Sequence, residues 1–207
     1  METSVYTADP PLRRHILILA AILAVLGLGH EFVNPALNYQ RGAVLDGQIW
    51  RLVTAHLVHL NAWHMAMNLT GLLLCWFFFT DLFTRRLLWL WLGVSAPVVG
   101  LAFLGLDPEL TRYVGLSGLL HGLLVLLLIL GLRGNPVLHS LVLVVVAGRL
   151  FWEQRPDYDT EYLRSFIDGS VYVNAHLYGA LAGLGLAVGV LIRRHLRARA
   201  TIQHDST

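Results

Sequence analysis

Residues 115–132 read GLSGLLHGLLVLLLILGL, and the run holds no Asp, Glu, Lys or Arg. From Leu116 to Leu132 it suits a buried apolar helix, short for a membrane span, which takes about 20 such residues. Its polar groups are gathered at one end. Ser117 and His121 stand at i, i+4, and Gly118 and Gly122 form a small-xxx-small pair of the kind that lets two helices approach closely in lipid. Polar side chains in such a segment are costly and count as functional candidates by default.

Outward from this run the composition agrees with a lipid environment. Of 207 residues only 14% are charged and 56% are apolar before 19 glycines are counted; soluble domains hold roughly 25% charged residues. Mean hydropathy is +0.62. These values exclude disorder, nucleic-acid binding and a secreted disulfide scaffold, the last also because Cys75 is the one cysteine. Six apolar runs are expected to be transmembrane helices: 15–33, about 61–80, 87–106, 116–132, 137–152 and 171–192. No cleavage site follows the first run, which reads as a retained helix. Residues 1–14 and 193–207 read as tails around a single all-α membrane domain, 15–192, and the semi-apolar connection 34–60 is expected to lie in the membrane interface.

All 15 cations are arginines. With both termini cytoplasmic, Arg13, Arg14, Arg85, Arg86, Arg133, Arg193, Arg194, Arg197 and Arg199 fall inside, as the positive-inside rule asks. The acidic residues Asp46, Asp107, Glu109, Glu153, Asp157, Asp159, Glu161 and Asp168 fall on the opposite side.

Four groups of polar residues lie within or beside the spans. His59, His64 and Asn68 open the second helix, with His64 and Asn68 on one face. Gly115-Leu116-Ser117-Gly118 opens the fourth, His176 lies early in the sixth, and Arg149 with Trp152-Glu153 ends the fifth. Helices four and six run parallel, and each bears a small pair, Gly118/Gly122 and Gly179/Gly183. With the glycines in register, Ser117 and His176 differ in depth by roughly 3 Å at 1.5 Å rise per residue, within hydrogen-bond reach. A serine hydroxyl becomes a useful nucleophile when a positioned base takes its proton. Each feature alone has a plainer reading: serine as a helix cap, the glycine pairs as packing, His64 and Asn68 as interhelical hydrogen bonds, Arg149–Glu153 as an i, i+4 ion pair.

Taken together, the residues from Trp50 to Gly183 resemble a rhomboid-family intramembrane serine protease. Trp50-Arg51 resembles the family's first-loop Trp-Arg pair. His59, His64 and Asn68 match its His-x4-His-x3-Asn run, Gly115 to Gly118 its Gly-x-Ser-Gly motif, and Ala175-His176 with Gly179 and Gly183 its base-bearing helix. The resemblance implies a compact six-transmembrane-helix rhomboid-like bundle with a semi-embedded first loop and no cofactor. It implies Ser117 as nucleophile, His176 as general base, and His64, Asn68 and the Ser117 backbone N–H as stabilisers of the oxyanion. With no buried carboxylate expected beside the imidazole, the reading is a dyad. His121 stands where rhomboids often carry an aromatic residue; with Trp152-Glu153 and Ala-His-Leu-Tyr-Gly this is similar to the rhombosortase subfamily. That likeness implies a bacterial inner-membrane enzyme with its site toward the periplasm. Its substrates would be exported proteins ending in Gly-Gly, one membrane helix and a basic tail, released by water or by transfer to an amine. Glu153 is a candidate for holding a substrate amine at the outer rim.

Three other functions compete. A general rhomboid protease shares the chemistry and differs in substrate. A non-catalytic rhomboid-like protein would bind membrane helices, but such proteins usually lack the serine or the histidine. A zinc hydrolase would draw imidazoles from His56, His59, His64, His121 and His176, yet the chain has no His-Glu-x-x-His and Ser117 would be idle.

Overall fold

The computed structural model describes residues 10–205, and the chain is mostly helical. Helix α1 (Pro10–Leu28) turns at Gly29 through 101° into α2 (His30–Leu37). The expected first span, 15–33, is therefore bent: the helix begins at Pro10 and breaks where Gly29 weakens it. Its buried face carries Leu12, Ile16, Leu19 and Leu23, at helical spacing.

The connection before the second long apolar helix is folded. It contains β1 (Tyr39–Gln40), α3 (Arg41–Leu45) and α4 (Arg51–Thr54). Arg51 is buried and holds the connection by its guanidinium, donating to the carbonyls of Pro35 at 2.9 Å and Asn38 at 2.8 Å and to Gln48 Oε1 at 2.7 Å. Trp50 donates from its indole to the Ala36 carbonyl at 3.2 Å.

Five further helices and one strand follow: α5 (Ala62–Phe78), α6 (Arg85–Leu106), β2 (Arg112–Tyr113), α7 (Ser117–Gly131), α8 (Pro136–Glu153) and the short α9 (Glu161–Ile167). The closing helix, α10 (Val173–Asp205), continues well beyond the expected end at 192. Side-chain caps start three of these helices: Asn61 Oδ1 accepts from the His64 amide, Thr84 Oγ1 from Leu87 and Asn135 Oδ1 from Leu138. Strands β1 and β2 pair antiparallel, Tyr39 with Tyr113, and tie the first connection to the segment before Ser117.

Helix α7 is the central element, packed against α5, α6, α8 and most extensively α10. Leu119, Leu123, Leu126, Leu127 and Leu130 are buried in the main core. Helix α8 is the outlier, with Val137, Val144, Val145 and Phe151 exposed and Leu150 against Val125 and Ala180 as its seat on the bundle. Among the described residues, α6, α8 and α10 are long and apolar enough to cross a membrane, and the bent α1–α2 pair makes a fourth candidate. Helices α5 and α7, of 17 and 15 residues, are apolar but shorter. The chain is a membrane protein on these helices. The starts of α5, α7 and α10 and the end of α8 line one cavity at one end of the bundle, where the polar residues gather.

Candidate active site

Two hydrogen bonds hold Gly115, in the segment before α7. The Gly115 amide donates to the Ala55 carbonyl at 3.0 Å, and the Tyr113 hydroxyl donates to the Gly115 carbonyl at 2.8 Å. Gly115 has φ +128°, a conformation that side-chain-bearing residues avoid, and a Cβ there would stand 2.8 Å from the His64 ring. Leu116 takes the N-cap position, so Ser117 is the first residue of α7 and its hydroxyl is not spent on capping. The first amides of α7 have no intrahelical partner and lie at the positive end of the helix.

Helices α7 and α10 touch backbone to backbone. A Cβ on Gly118 would lie 2.6 Å from the Ala175 carbonyl oxygen, one on Gly179 would overlap the Gly118 carbonyl, and one on Gly183 the Gly122 carbonyl. Gly118 therefore faces Gly179, and Gly122 faces Gly183. In this register Ser117 Oγ lies 3.1 Å from His176 Nε2. The His121 ring stacks on that of His176, centroids 4.1 Å apart and planes at 20°, while its Nδ1 lies 2.8 Å from the Ser117 carbonyl oxygen.

The other ring nitrogen of His176 also has a partner. His176 Nδ1 lies 2.8 Å from Glu153 Oε2, and Glu153 is 4% exposed. The expectation that no buried carboxylate orients the imidazole is corrected by this contact. Glu153 is thus buried beside the imidazole and not at an open outer rim, and its Oε1 accepts from Arg149 Nε at 2.9 Å. Arg149 donates in turn to the Tyr158 hydroxyl and, at 3.3 Å, to that of Tyr162. Burial first, then the bond with Tyr162, pushes the Tyr158 phenol up to about 12, so it meets Arg149 as a neutral oxygen acceptor. Neither tyrosine was legible as a site neighbour, because only the path of residues 154–160 returns them to Arg149.

Across the cavity, His64 Nδ1 accepts from the Leu60 amide at 3.4 Å, a long bond that assigns the ring proton to Nε2, the nitrogen beside Gly115. Asn68 Nδ2 donates to the His64 carbonyl at 3.0 Å. His59 is fully buried and sits edge-on to His64 at 5.1 Å, behind the site. Trp152 stands apart: it is half exposed, with the Arg155 guanidinium 4.6 Å over its ring. His64, Asn68, Ser117, His121, Glu153 and His176 all line one cavity of about 770 Å³, continued by the apolar side chains Met67, Leu74 and Leu120.

Ligand atoms of His121, Glu153 and His176 lie within 4.8 Å of one another, the spacing a metal ion could use. The details do not fit one. Two ligands about 2.0–2.2 Å from a tetrahedral zinc stand roughly 3.3 Å apart, whereas Glu153 and His176 are 2.8 Å apart, at hydrogen-bond distance. The stacked rings of His121 and His176 also lie face to face and do not converge on a point.

The uncharacterized protein Rv1337 of Mycobacterium tuberculosis and the uncharacterized protein Mb1372 of Mycobacterium bovis are each 29% identical to the chain over 196 residues, 89% of this chain and 77% of theirs. A family model described as the rhomboid domain matches residues 46–193, which run from before α4 into α10 and include His64, Asn68, Ser117, His121, Glu153 and His176. The chain belongs to the rhomboid family, a family of intramembrane serine proteases.

Proposed function

We propose that this protein is an intramembrane serine endopeptidase in which Ser117 is the nucleophile and His176 the general base. The observation that carries the reading is the 3.1 Å approach of Ser117 Oγ to His176 Nε2 at the wall of a cavity that His64, Asn68 and Glu153 also line. The Ser117 proton passes to Nε2 as Oγ bonds to the scissile carbonyl carbon. The resulting oxyanion is met by the Ser117 amide at the start of α7, by His64 Nε2 and by the second Asn68 N–H. Removing one such donor typically costs about 10²–10³ in turnover. His176 then gives the proton to the leaving nitrogen, the C–N bond breaks, and an acyl-enzyme remains on Ser117. Water, or an amine acceptor, attacks that ester with His176 again taking the proton, and Ser117 Oγ leaves as the hydroxyl.

The fold that serves this chemistry is read as six spans with both termini cytoplasmic and a semi-embedded first connection. In this reading α5 and α7 span despite their shortness, through locally thinned bilayer. The membrane is a bacterial inner membrane, with the site opening toward the periplasm. The arginine distribution supports this orientation.

The substrates are single-pass proteins ending in Gly-Gly, a membrane helix and a basic tail, a reading supported by the likeness to rhombosortases. Glycine is about 1 kcal/mol worse than alanine in a helix, so a Gly-Gly margin unwinds readily and exposes its peptide bond. The test is co-expression with a reporter bearing such a tail, followed by product mass. Cleavage lost in Ser117→Ala, and lost when Gly-Gly becomes Leu-Leu, is the expected result, and the mass distinguishes hydrolysis from transfer. Cleavage of both reporters points to a general rhomboid protease. Binding of either reporter without cleavage points to a non-catalytic helix-binding protein and overturns the proposal.

A further inference from the structure

We propose that Glu153 is a positioning residue that makes this site a Ser117–His176–Glu153 triad, held in place from outside by Arg149. The inference rests on the protease reading above. Ser117 Oγ, His176 Nε2, His176 Nδ1 and Glu153 Oε2 form an unbroken line of contacts, 3.1 Å and 2.8 Å long. An ionised carboxylate only accepts hydrogen bonds, so this line assigns the imidazole proton to Nδ1 and leaves the Nε2 lone pair facing the serine hydroxyl. That is the tautomer a general base needs. When Nε2 takes the Ser117 proton, the ring becomes a cation whose charge Glu153 offsets across the same bond.

The surroundings distinguish this role from an ordinary surface ion pair. The Arg149 side chain is 47% exposed, but that of Glu153 is 3% exposed. The pair thus leans inward, with the carboxylate turned to His176 and the guanidinium left outside against Tyr158 and Tyr162. A lone buried carboxylate is costly, and a pair of this kind is retained only when its hydrogen bonds are satisfied. Both Glu153 oxygens have such bonds here. The titratable and charged groups facing His176 are His121 from α7, His64 from α5, and Glu153 with Arg149 behind it from α8. Asp107 at the end of α6 is engaged by Asn174 and Tyr178 of α10. Among these, Glu153 is the group in contact with Nδ1.

The test uses the full chain in proteoliposomes with three readouts. Ring-nitrogen NMR of the wild type, assigned by loss of the signal in His176→Gln, is expected to place the proton on Nδ1. Cleavage of a membrane reporter by Glu153→Gln is expected to fall by up to about 10⁴-fold in kcat, the loss that follows when the orienting carboxylate of a serine–histidine pair is neutralised, with KM changed less than about threefold. Glu153→Asp, which keeps the carboxylate, is expected to regain at least tenfold over Glu153→Gln. A proton found on Nε2 in the wild type overturns the proposal, as does a folded Glu153→Gln variant with wild-type kcat. If Glu153→Gln does not fold, the wild-type NMR signal decides. If the wild type fails to react at Ser117 with a fluorophosphonate, the protease reading falls, while the position of the proton still decides whether Glu153 orients His176.

Discussion

His121 lies nearly parallel to His176, ring centroids 4.1 Å apart, with its own Nδ1 directed at the Ser117 carbonyl. The contact is that of an aromatic ring laid on the proposed base, and any aromatic ring of similar size should serve. Stacked aromatic pairs are worth about 0.5–1.5 kcal/mol beyond burial, so His121→Ala is expected to lower kcat about 2–10-fold and His121→Phe to stay near wild type. Equal losses in both variants would show that the imidazole nitrogens matter and the stacking does not. On the opposite wall Asn68 has one N–H committed to the His64 carbonyl and one toward the cavity. Asn68→Ala is expected to cost about 10²–10³ in kcat if that second N–H meets an oxyanion, while a change confined to KM would assign it to substrate binding.

Between elements, the α7–α10 contact sets the distance from Ser117 to His176 on which the proposed chemistry depends. Gly179 has no room for a side chain against the Gly118 carbonyl. Gly179→Val therefore forces the two helices apart, and overpacking of this kind typically destabilises by about 1–3 kcal/mol. A lower melting temperature and a loss of fluorophosphonate labelling at Ser117 are expected together; labelling at the wild-type rate would mean that the register survives without the glycine. A second joint ties α5 to α9. Asn61 caps α5 and also donates to the Phe166 carbonyl and to Asp168 Oδ2, both at 2.8 Å. Asn61→Ala should cost about 1 kcal/mol through the lost cap and free α9, read as faster proteolytic nicking between residues 154 and 170. Unchanged nicking would show that α9 is held by its apolar contacts alone.

At the scale of the whole molecule, the proposed orientation rests on the arginine distribution. With Cys75 replaced by Ser, single cysteines placed at Asp46 or Asp157 should react with an impermeant thiol reagent added outside intact cells. A cysteine at Arg133 or Arg197 should react only after permeabilisation. The reverse pattern would invert the topology and turn the cavity toward the cytoplasm. The exposed flank of α8, against the buried flank of α7, marks α8 as the helix with most of its surface left to lipid.

Much of this was legible in one dimension because lipid imposes simple rules. Uncharged runs and flanking arginines mark the helices, and small residues four apart mark the face on which two backbones meet. From Gly118/Gly122 and Gly179/Gly183 alone, Ser117 and His176 come to one depth, since helical rise is constant. The bend at Gly29 and the short elements of the first connection were not legible, because buried Arg51 bonds and the β1–β2 pair decide them across long sequence gaps. Nor was the partner of His176. In sequence, Glu153 is seen beside Arg149, its neighbour one helical turn away, and an ion pair explains both. Whether the carboxylate turns outward to that arginine alone or inward to an imidazole 23 residues later depends on how α8 is rotated about its axis as it seats on α7 and α10. That rotation is set by the packing of Leu150 against Val125 and Ala180, and only the tertiary structure decided it.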